Sequence, residues 1–269
     1  MGDILDIFAE EAWKRLSKGY YNTVEVVCPQ RRSLAMNIRR KRGVAVIAEL
    51  KPCSPSAGAL KENFRIRDVA SAMERGGAVG LSVITVPERF GGHIVNILQA
   101  KSSTSLPVLM KDFIVGREQV LAASKAGADA VLLIYTLFNR GYVECDVDAM
   151  VAYAHALGLE VLLETHSEEE YLAALSTQAD MVGVNNRDLR SLNVDLDVTR
   201  RILALGKPPG RVLVSESGIA CPDDVWSLKA LGVDAFLIGT AIMRSDNIED
   251  TVRRFVEGGE GESLRNNLC

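Results

Sequence analysis

The chain has 269 residues, of which 48% are hydrophobic and only 6% are aromatic. This length and apolar content are sufficient for one buried core, so we expect a single globular domain. The formal charge of -4 argues against a nucleic-acid partner, because such proteins usually carry a basic face. No apolar run is long enough to cross a bilayer, so we expect no membrane association.

Five cysteines are spread along the chain: Cys28, Cys53, Cys145, Cys221 and Cys269. Their odd number and wide spacing fit neither a disulfide framework nor a zinc site. The first residues lack the basic and apolar segments of a secretory signal, so we predict a cytoplasmic protein. The histidines are not spaced as metal ligands, and we predict no metal site from His93, His155 and His166.

Residues 1–43 stand outside the repeating pattern that follows them. They contain two helix-compatible stretches, Asp3 to Lys18 and Gln30 to Arg42, and the second is strongly basic. We expect the basic stretch to form a solvated helix face that covers the bottom of the main domain. The alternative is a segment that closes over the mouth of a functional site.

Eight short runs rich in Val, Ile and Leu follow this region. Nearly continuous apolar runs are typical of strands that are buried on both faces of a parallel sheet. The runs are Val44 to Lys51, Val79 to Thr85, Pro107 to Lys111, Ala130 to Tyr135, Glu160 to Glu164, Met181 to Asn185, Arg211 to Glu216 and Ala235 to Gly239.

Amphipathic, helix-compatible stretches separate these runs. They are Arg67 to Arg75, Gly116 to Ala126, Val147 to Leu157, Ser167 to Leu175, Asp197 to Leu205 and Pro222 to Leu231. Several end at a glycine that can supply a left-handed cap, as at Gly127, Gly158 and Gly232.

The alternation of strand and helix predicts an α/β fold with a single (β/α)8 TIM barrel and an N-terminal helical extension. The extension covers residues 1–43, the barrel residues 44–257, and a C-terminal tail residues 258–269. An open doubly wound sheet is the alternative. No Gly-x-Gly-x-x-Gly motif follows the first strand, which argues against a dinucleotide-binding form of that sheet.

Polar side chains stand at the carboxyl ends of five predicted strands. They are Glu49 and Lys51, Lys111, Glu164, Asn185 and Arg187, and Glu216. Barrel enzymes build their active sites at this end of the strands. Residues two apart point to the same side of a strand, so Glu49 and Lys51 can both face inward. We predict an acid and base site; the alternative is a structural ion-pair network.

Glycines stand beside hydroxyl residues after the last two strands, in Ser217-Gly218 and Gly239-Thr240. Glycine lets the backbone approach a phosphate closely, and the loops after strands seven and eight of a barrel often bind one. We therefore expect a small anionic sugar-phosphate substrate. The alternative is that both glycines serve only as turn residues.

Seven strand-end segments resemble, in order, the motifs of the indole-3-glycerol phosphate synthase family. They are Val46 to Gly58, Leu81 to Gly92, Pro107 to Val115, Glu160 to His166, Val182 to Leu189, Leu213 to Ile219 and Ala235 to Arg244. The resemblance implies a carboxy-lyase of tryptophan biosynthesis that works without a cofactor. Its substrate would be 1-(2-carboxyphenylamino)-1-deoxyribulose 5-phosphate, and its products indole-3-glycerol phosphate, CO2 and water. Association with other tryptophan-pathway enzymes is a further expectation.

The resemblance also implies catalytic roles at matching positions. Lys111 would be the general acid at the ketone oxygen, and Glu164 an acid or base in the later steps. The remaining catalytic matches are Lys51, Glu49, Asn185 and Glu216. The substrate-binding matches are Ser54 and Arg187 for the carboxylate, Phe90 and Phe113, and Ser217, Gly218, Gly239 and Thr240 for the phosphate. Pro52-Cys53 and Thr240 depart from the commonest family pattern.

Two questions about the chemistry stay open at this point. Either Lys51 or Glu164 acts as the acid in dehydration. For Lys111 we expect a pKa lowered towards neutrality, as in a crowded, cationic and desolvated site.

The rival functions are a sugar-phosphate isomerase similar to phosphoribosylanthranilate isomerase, an aldolase with Lys111 as a Schiff base, and a non-catalytic barrel subunit that binds a phosphorylated ligand.

Overall fold

The computed structural model describes residues 3–24, 30–55, 58–61 and 64–258. Eight parallel strands close into a barrel, which confirms the predicted (β/α)8 fold. The strands are β1 (Ala45–Leu50), β2 (Gly80–Ile84), β3 (Val108–Lys111), β4 (Ala130–Ile134), β5 (Glu160–Thr165), β6 (Met181–Asn185), β7 (Val212–Glu216) and β8 (Ala235–Ile238). Two further short strands, Cys53–Ser54 and Gly58–Ala59, pair in the loop after β1. The predicted tail beyond residue 258, together with Cys28 and Cys269, lies outside the described residues.

Side chains alternate between two apolar layers along the strands. In β1, Ala45 and Ile47 belong to the cluster inside the barrel. Val46 and Ala48 belong to the cluster between the strands and the outer helices. Both faces of each strand are therefore buried, which explains why the strands have nearly continuous apolar sequences. The inward series continues to Glu49, as the spacing predicts.

Helices cover the outside of the barrel. They are α3 (Ile66–Arg75), α4 (Val95–Lys101), α5 (Arg117–Ala126), α6 (Tyr135–Asn139), α7 (Val147–Ala156), α8 (Glu168–Ser176), α9 (Asp197–Ala204), α10 (Pro222–Ala230), α11 (Thr240–Met243) and α12 (Ile248–Glu257). The six predicted outer helices are present, but the amphipathic pattern did not predict α4, α6, α11 and α12. Gly127, Gly158 and Gly232 have positive φ angles of 91°, 73° and 111°, as their proposed capping role requires.

The two N-terminal helices, α1 (Ile4–Ser17) and α2 (Leu34–Arg40), lie at opposite ends of the barrel. At the amino end of the strands, the backbone N–H groups of Leu34 and Ala35 donate to the Glu160 carboxylate. The Arg32 guanidinium donates to carbonyl groups in the segment that leads into β3. The basic stretch therefore covers the bottom of the barrel, as expected. At the carboxyl end of the strands, Arg15 of α1 binds Asp112, directly after β3.

In the part of the chain that the structure describes, no helix combines the length and apolar composition that a membrane span requires. The longest helix is α1, with 14 residues.

A buried ion pair ties the bottom of the barrel together. The Asp129 carboxylate accepts hydrogen bonds from the Lys101 ammonium and from the backbone N–H groups of Val108 and Arg32. The side chains of Lys101 and Asp129 are 3% and 0% exposed. Asp129 thereby joins α4, β3 and the segment that precedes α2.

We predict that Asp129→Ala lowers the free energy of unfolding by about 3 to 5 kcal/mol, because it leaves the buried Lys101 ammonium unpaired. Urea unfolding followed by circular dichroism measures this change. Glu10→Ala is the control, because Glu10 makes only an exposed pair with Lys14, and we expect little change from it. A similarly small loss for both variants would contradict this account of the barrel bottom.

Candidate active site

A cavity of about 170 Å³ opens at the carboxyl end of the barrel strands. All of the sequence-predicted site residues except Glu216 line it, namely Glu49, Lys51, Ser54, Phe90, Lys111, Phe113, Glu164, Asn185, Arg187, Ser217, Gly218, Gly239 and Thr240. Glu216 is fully buried and contacts Lys111. The fold therefore brings the whole predicted set together at one end of the barrel.

The Lys111 ammonium lies among three buried carboxylates. Its Nζ atom is 2.6 Å from Glu216 Oε2, 3.5 Å from Glu164 Oε2 and 3.9 Å from Glu49 Oε2. A second lysine completes the cluster, with Lys51 Nζ 3.0 Å from Glu49 Oε1. Four of these residues come from the alternate strands β1, β3, β5 and β7. They occupy the place of an interior layer, which barrels commonly fill with aliphatic side chains.

The carboxylates decide the charge of Lys111. Burial alone would lower the pKa of this lysine, but the charges of Glu216, Glu164 and Glu49 raise it well above its usual range. The expectation of a lowered pKa is therefore wrong for the ligand-free site. It assumed a mainly cationic environment, whereas the nearest neighbours of Lys111 are anions.

The pKa values of two of the carboxylates are shifted in opposite directions. Burial favours the neutral form of Glu164, but the charges of Lys111 and His166 and the Asn185 amide donor hold its pKa below the usual range. Burial, together with the charge of Glu164, raises the pKa of Glu216 to about 7 despite its contact with Lys111. Such a separation of pKa values is typical of paired acid and base groups.

Asn185 and Arg187 follow one another along the end of β6. The Asn185 side-chain amide donates to Glu164 Oε1 at 2.9 Å, and its oxygen accepts from the Arg187 backbone N–H at 3.0 Å. The Arg187 guanidinium donates to the Leu192 carbonyl at 2.8 Å. Asn185 therefore orients Glu164, while the Arg187 side chain is held at the cavity wall.

Two glycines leave room for the charged groups. A Cβ atom at Gly183 would lie 2.4 Å from Glu216 Oε1, and one at Gly239 would lie 2.4 Å from Glu49 Oε1. Side chains at these positions would displace a carboxylate from the cluster. Gly239 is therefore more than a turn residue, because its lack of a side chain leaves the space that Glu49 occupies.

The turn after β7 has an unusual backbone. Ser217 and Gly218 both have positive φ angles, 64° and 81°. The buried Asn186 holds this turn, since its side-chain amide donates to the carbonyls of Glu216 and Ser217. Its side-chain oxygen in turn accepts from the Thr199 hydroxyl at 2.7 Å. The sequence pattern gives Asn186 no role, because an asparagine after a strand does not reveal which turn it bonds to.

Aromatic rings line one side of the cavity. Phe8 stacks on Phe113 with ring centroids 4.4 Å apart, and Phe90 lies 5.7 Å from Phe8 and 6.0 Å from Phe113. We name these three residues the aromatic wall. The family resemblance indicates Phe90 and Phe113 as substrate-binding residues but not Phe8. The helical pattern around Phe8 shows only that the residue is on an apolar face, and its place at the cavity depends on where α1 docks.

Docking of α1 relies on a buried polar network. Arg15 donates to Asp112 at 3.0 Å and to Glu88 at 2.7 Å, and the Tyr21 hydroxyl donates to Asp112 at 2.9 Å. Asp112 follows Lys111 and precedes Phe113, so the network joins α1 to the end of β3.

Among the described residues, no group of three or more His, Cys, Asp or Glu side chains is arranged to hold a metal ion.

Comparison with known proteins identifies related sequences over nearly the whole chain. A family model described as indole-3-glycerol phosphate synthase matches residues 10–255. A protein of that name from Caldanaerobacter subterraneus is 37% identical over 262 residues, covering 96% of this chain and 98% of the relative. Another from Campylobacter curvus is 38% identical over 224 residues, covering 83% and 84%. A third, from Geobacillus thermodenitrificans, is 39% identical over 240 residues, covering 87% and 91%.

Solved structures with lower sequence identity have a similar fold. An N-acetylmannosamine-6-phosphate 2-epimerase from Clostridium perfringens matches with a TM-score of 0.60 and 18% identity, covering 81% of this chain and 94% of its own. A thiamine phosphate pyrophosphorylase from Pyrococcus furiosus matches with a TM-score of 0.56 and 21% identity, covering 81% and 97%. At these identities the likeness supports the barrel fold alone.

We predict that Gly218→Ala destabilises the protein more than Gly210→Ala does, by about 1 to 3 kcal/mol. Both glycines have positive φ, but a Cβ atom at Gly218 would lie 2.2 Å from Val194 Cγ1, whereas nothing lies within 4 Å at Gly210. Urea unfolding of the two variants separates the collision from the backbone strain. Equal losses would mean that the turn after β7 relaxes without cost.

Proposed function

The chain belongs to the indole-3-glycerol phosphate synthase family, and we propose that it closes the indole ring of indole-3-glycerol phosphate. The substrate is 1-(2-carboxyphenylamino)-1-deoxyribulose 5-phosphate, which cyclises and loses CO2 and water. The observation that carries this proposal is the Lys111 ammonium, which lies among three carboxylates in a cavity with an aromatic wall.

Lys111 is the general acid of ring closure. Attack of the aromatic ring carbon on the ketone places negative charge on the ketone oxygen. The raised pKa keeps Lys111 protonated at neutral pH, so it meets this oxygen as a charged donor. Glu216, 2.6 Å from the ammonium, holds Lys111 in place and can share its proton.

Glu164 is the base of the later steps. Once CO2 has left, formation of the indole still requires the removal of a proton and the departure of hydroxide. The lowered pKa of Glu164 leaves it ionised, so it can accept a proton but has none to give. This favours Lys51, a lysine at the cavity wall beside Glu49, as the acid that assists hydroxide.

The other lining residues fit the remaining parts of the substrate. The aromatic wall of Phe8, Phe90 and Phe113 suits the phenyl ring, since aromatic pairs gain energy beyond their burial. Arg187 and Ser54 serve the substrate carboxylate. Ser217-Gly218 and Gly239-Thr240 form the phosphate site, where glycine allows close approach of the backbone.

The rival functions fit the site less well. A Schiff-base aldolase needs a neutral lysine, whereas three carboxylates favour the charged form of Lys111. An isomerase needs no decarboxylation and releases no CO2. A ligand-binding subunit has no need of a buried acid and base set. A cytoplasmic location and association with other tryptophan-pathway enzymes stay predictions.

We predict that Lys111→Ala lowers kcat by about 10²- to 10⁴-fold, the usual contribution of a general acid. The assay follows indole fluorescence and CO2 release from the carboxyphenylamino-deoxyribulose phosphate. Lys125→Ala, in the last turn of α5, is the control and should retain wild-type turnover.

Two results would contradict the synthase, and a third would change only the role of Lys111. Wild-type protein that binds the compound without releasing CO2 would point to the isomerase or the binding subunit. Trapping of substrate on Lys111 by borohydride would favour the aldolase. Undiminished turnover by Lys111→Ala would remove the general-acid role from this lysine.

We predict that Phe8→Ala raises KM about tenfold or more while kcat falls less, because the phenyl ring loses a stacking partner worth about 0.5 to 1.5 kcal/mol beyond its buried area. Steady-state kinetics on the same substrate measure both constants. Ile7→Ala is the control, since Ile7 is exposed on the same helix. An unchanged KM would separate Phe8 from substrate binding.

A further inference from the structure

His166 contacts Glu164 but does not itself line the cavity. It follows β5 directly, and its side chain is only 11% exposed. Its Nε2 atom is 3.1 Å from Glu164 Oε1, while its Nδ1 atom is 3.2 Å from the Thr136 hydroxyl and 3.6 Å from Glu170 Oε2. The mechanism described above uses none of the atoms of this ring.

The surroundings of the ring favour its doubly protonated form. The Thr136 hydroxyl donates its proton to Glu170 Oε1 at 2.7 Å, so it presents a lone pair to Nδ1. Nε2 lies at ion-pair distance from the Glu164 carboxylate, without the alignment of a hydrogen bond. One ring nitrogen therefore faces a lone pair and the other faces an anion, and both neighbours favour an imidazolium with two N–H groups. Burial would lower the pKa of His166, but the two carboxylates raise it to about 9.

Glu170 fixes the ring from the helix side. Its Oε2 atom accepts the His166 backbone N–H at 2.8 Å, and its Oε1 atom accepts the Thr136 hydroxyl. The charged groups that face the ring are Glu164 from β5 and Glu170 from α8, with the neutral Thr136 from α6. Lys111 of β3 approaches Glu164 from the cavity side.

The charge balance of the cavity makes the charge of the His166 ring important for Glu164. Glu49 contacts Lys51 and Lys111 and also interacts with Arg187 at the cavity wall, whereas Glu164 and Glu216 share the single ammonium of Lys111. A positive ring beside Glu164 stabilises the charge on that carboxylate and on no other member of the cluster to the same degree.

We propose that His166 is a positioning residue that acts through Glu164: held as an imidazolium by Glu170 and Thr136, it keeps Glu164 ionised and leaves Glu216 as the carboxylate that takes up a proton. His166 thus determines which of the two carboxylates serves as the base. The inference rests on the proposed synthase function for its kinetic consequence, but the charge of the ring can be measured without any turnover.

The first test is an NMR titration of the histidine rings in the ligand-free protein. The chain has only three histidines, so His93→Gln and His155→Gln assign the signals. We expect His166 to stay protonated through neutral pH and to titrate near the value of about 9 given above. Glu170→Gln should lower the titration midpoint of His166, because the ring loses a neighbouring carboxylate. A wild-type midpoint at or below the ordinary value of about 6.5 would overturn the proposal.

The second test is the pH profile of kcat for His166→Gln, which keeps an amide donor near Glu164 but removes the charge. A base must be ionised to act. If the substitution raises the pKa of Glu164, the fall in kcat at low pH begins at a higher pH than in the wild-type protein. We expect a shift of about 1 to 3 pH units, with recovery of kcat at high pH and little change in KM. His155→Gln, which removes the exposed partner of Asp180, is the matched control.

The outcomes distinguish this inference from the proposed function. If kcat falls at the same low pH in the variant and the wild-type protein, or if kcat is reduced equally at every pH, His166 has only a structural role. If His166→Gln does not fold, Glu170→Gln replaces it and should shift the fall in kcat at low pH in the same direction. Wild-type protein without CO2 release would end the synthase proposal, and the titration would still decide the charge of His166.

Discussion

The site is organised by the electrostatic balance around Lys111. A lysine in the interior of a barrel is costly unless anions accompany it, and buried carboxylates are equally costly without a cation. Here Lys111 contacts Glu49, Glu164 and Glu216, each from a different strand. The requirement for mutual compensation constrains the height of these side chains in the barrel. The same balance of charges explains why the pKa of one carboxylate, that of Glu216, lies near neutrality.

The backbone around the cluster is adapted to these charges. Gly183 and Gly239 leave the space that Glu216 and Glu49 occupy, so the smallest residue stands beside a carboxylate within β6 and directly after β8. Asn185 orients Glu164 from the neighbouring strand. The precision of the site therefore comes from rigid strand ends, which hold the reacting groups more firmly than loops would.

The N-terminal helix extends the barrel into a cavity with an apolar side. Through Arg15 it is tied to Asp112, which lies between Lys111 and Phe113 in the chain. Lys111 and the aromatic wall thus depend on one segment at the end of β3. A displacement of α1 would alter the aromatic wall and, through Asp112, the position of Lys111.

The pattern of apolar and polar residues predicts the barrel and most of the candidate site. Eight apolar runs require burial on both faces, and the strand ends of a parallel barrel meet at one mouth, so Glu49, Lys111 and Glu164 had to converge. The positions of Phe8 and His166 do not follow from this pattern, because each depends on how a helix packs against the strands. The tertiary structure also decided the protonation of the site. A pKa depends on distances between groups that are far apart in the chain, and three carboxylates within 4 Å reversed the shift expected for Lys111.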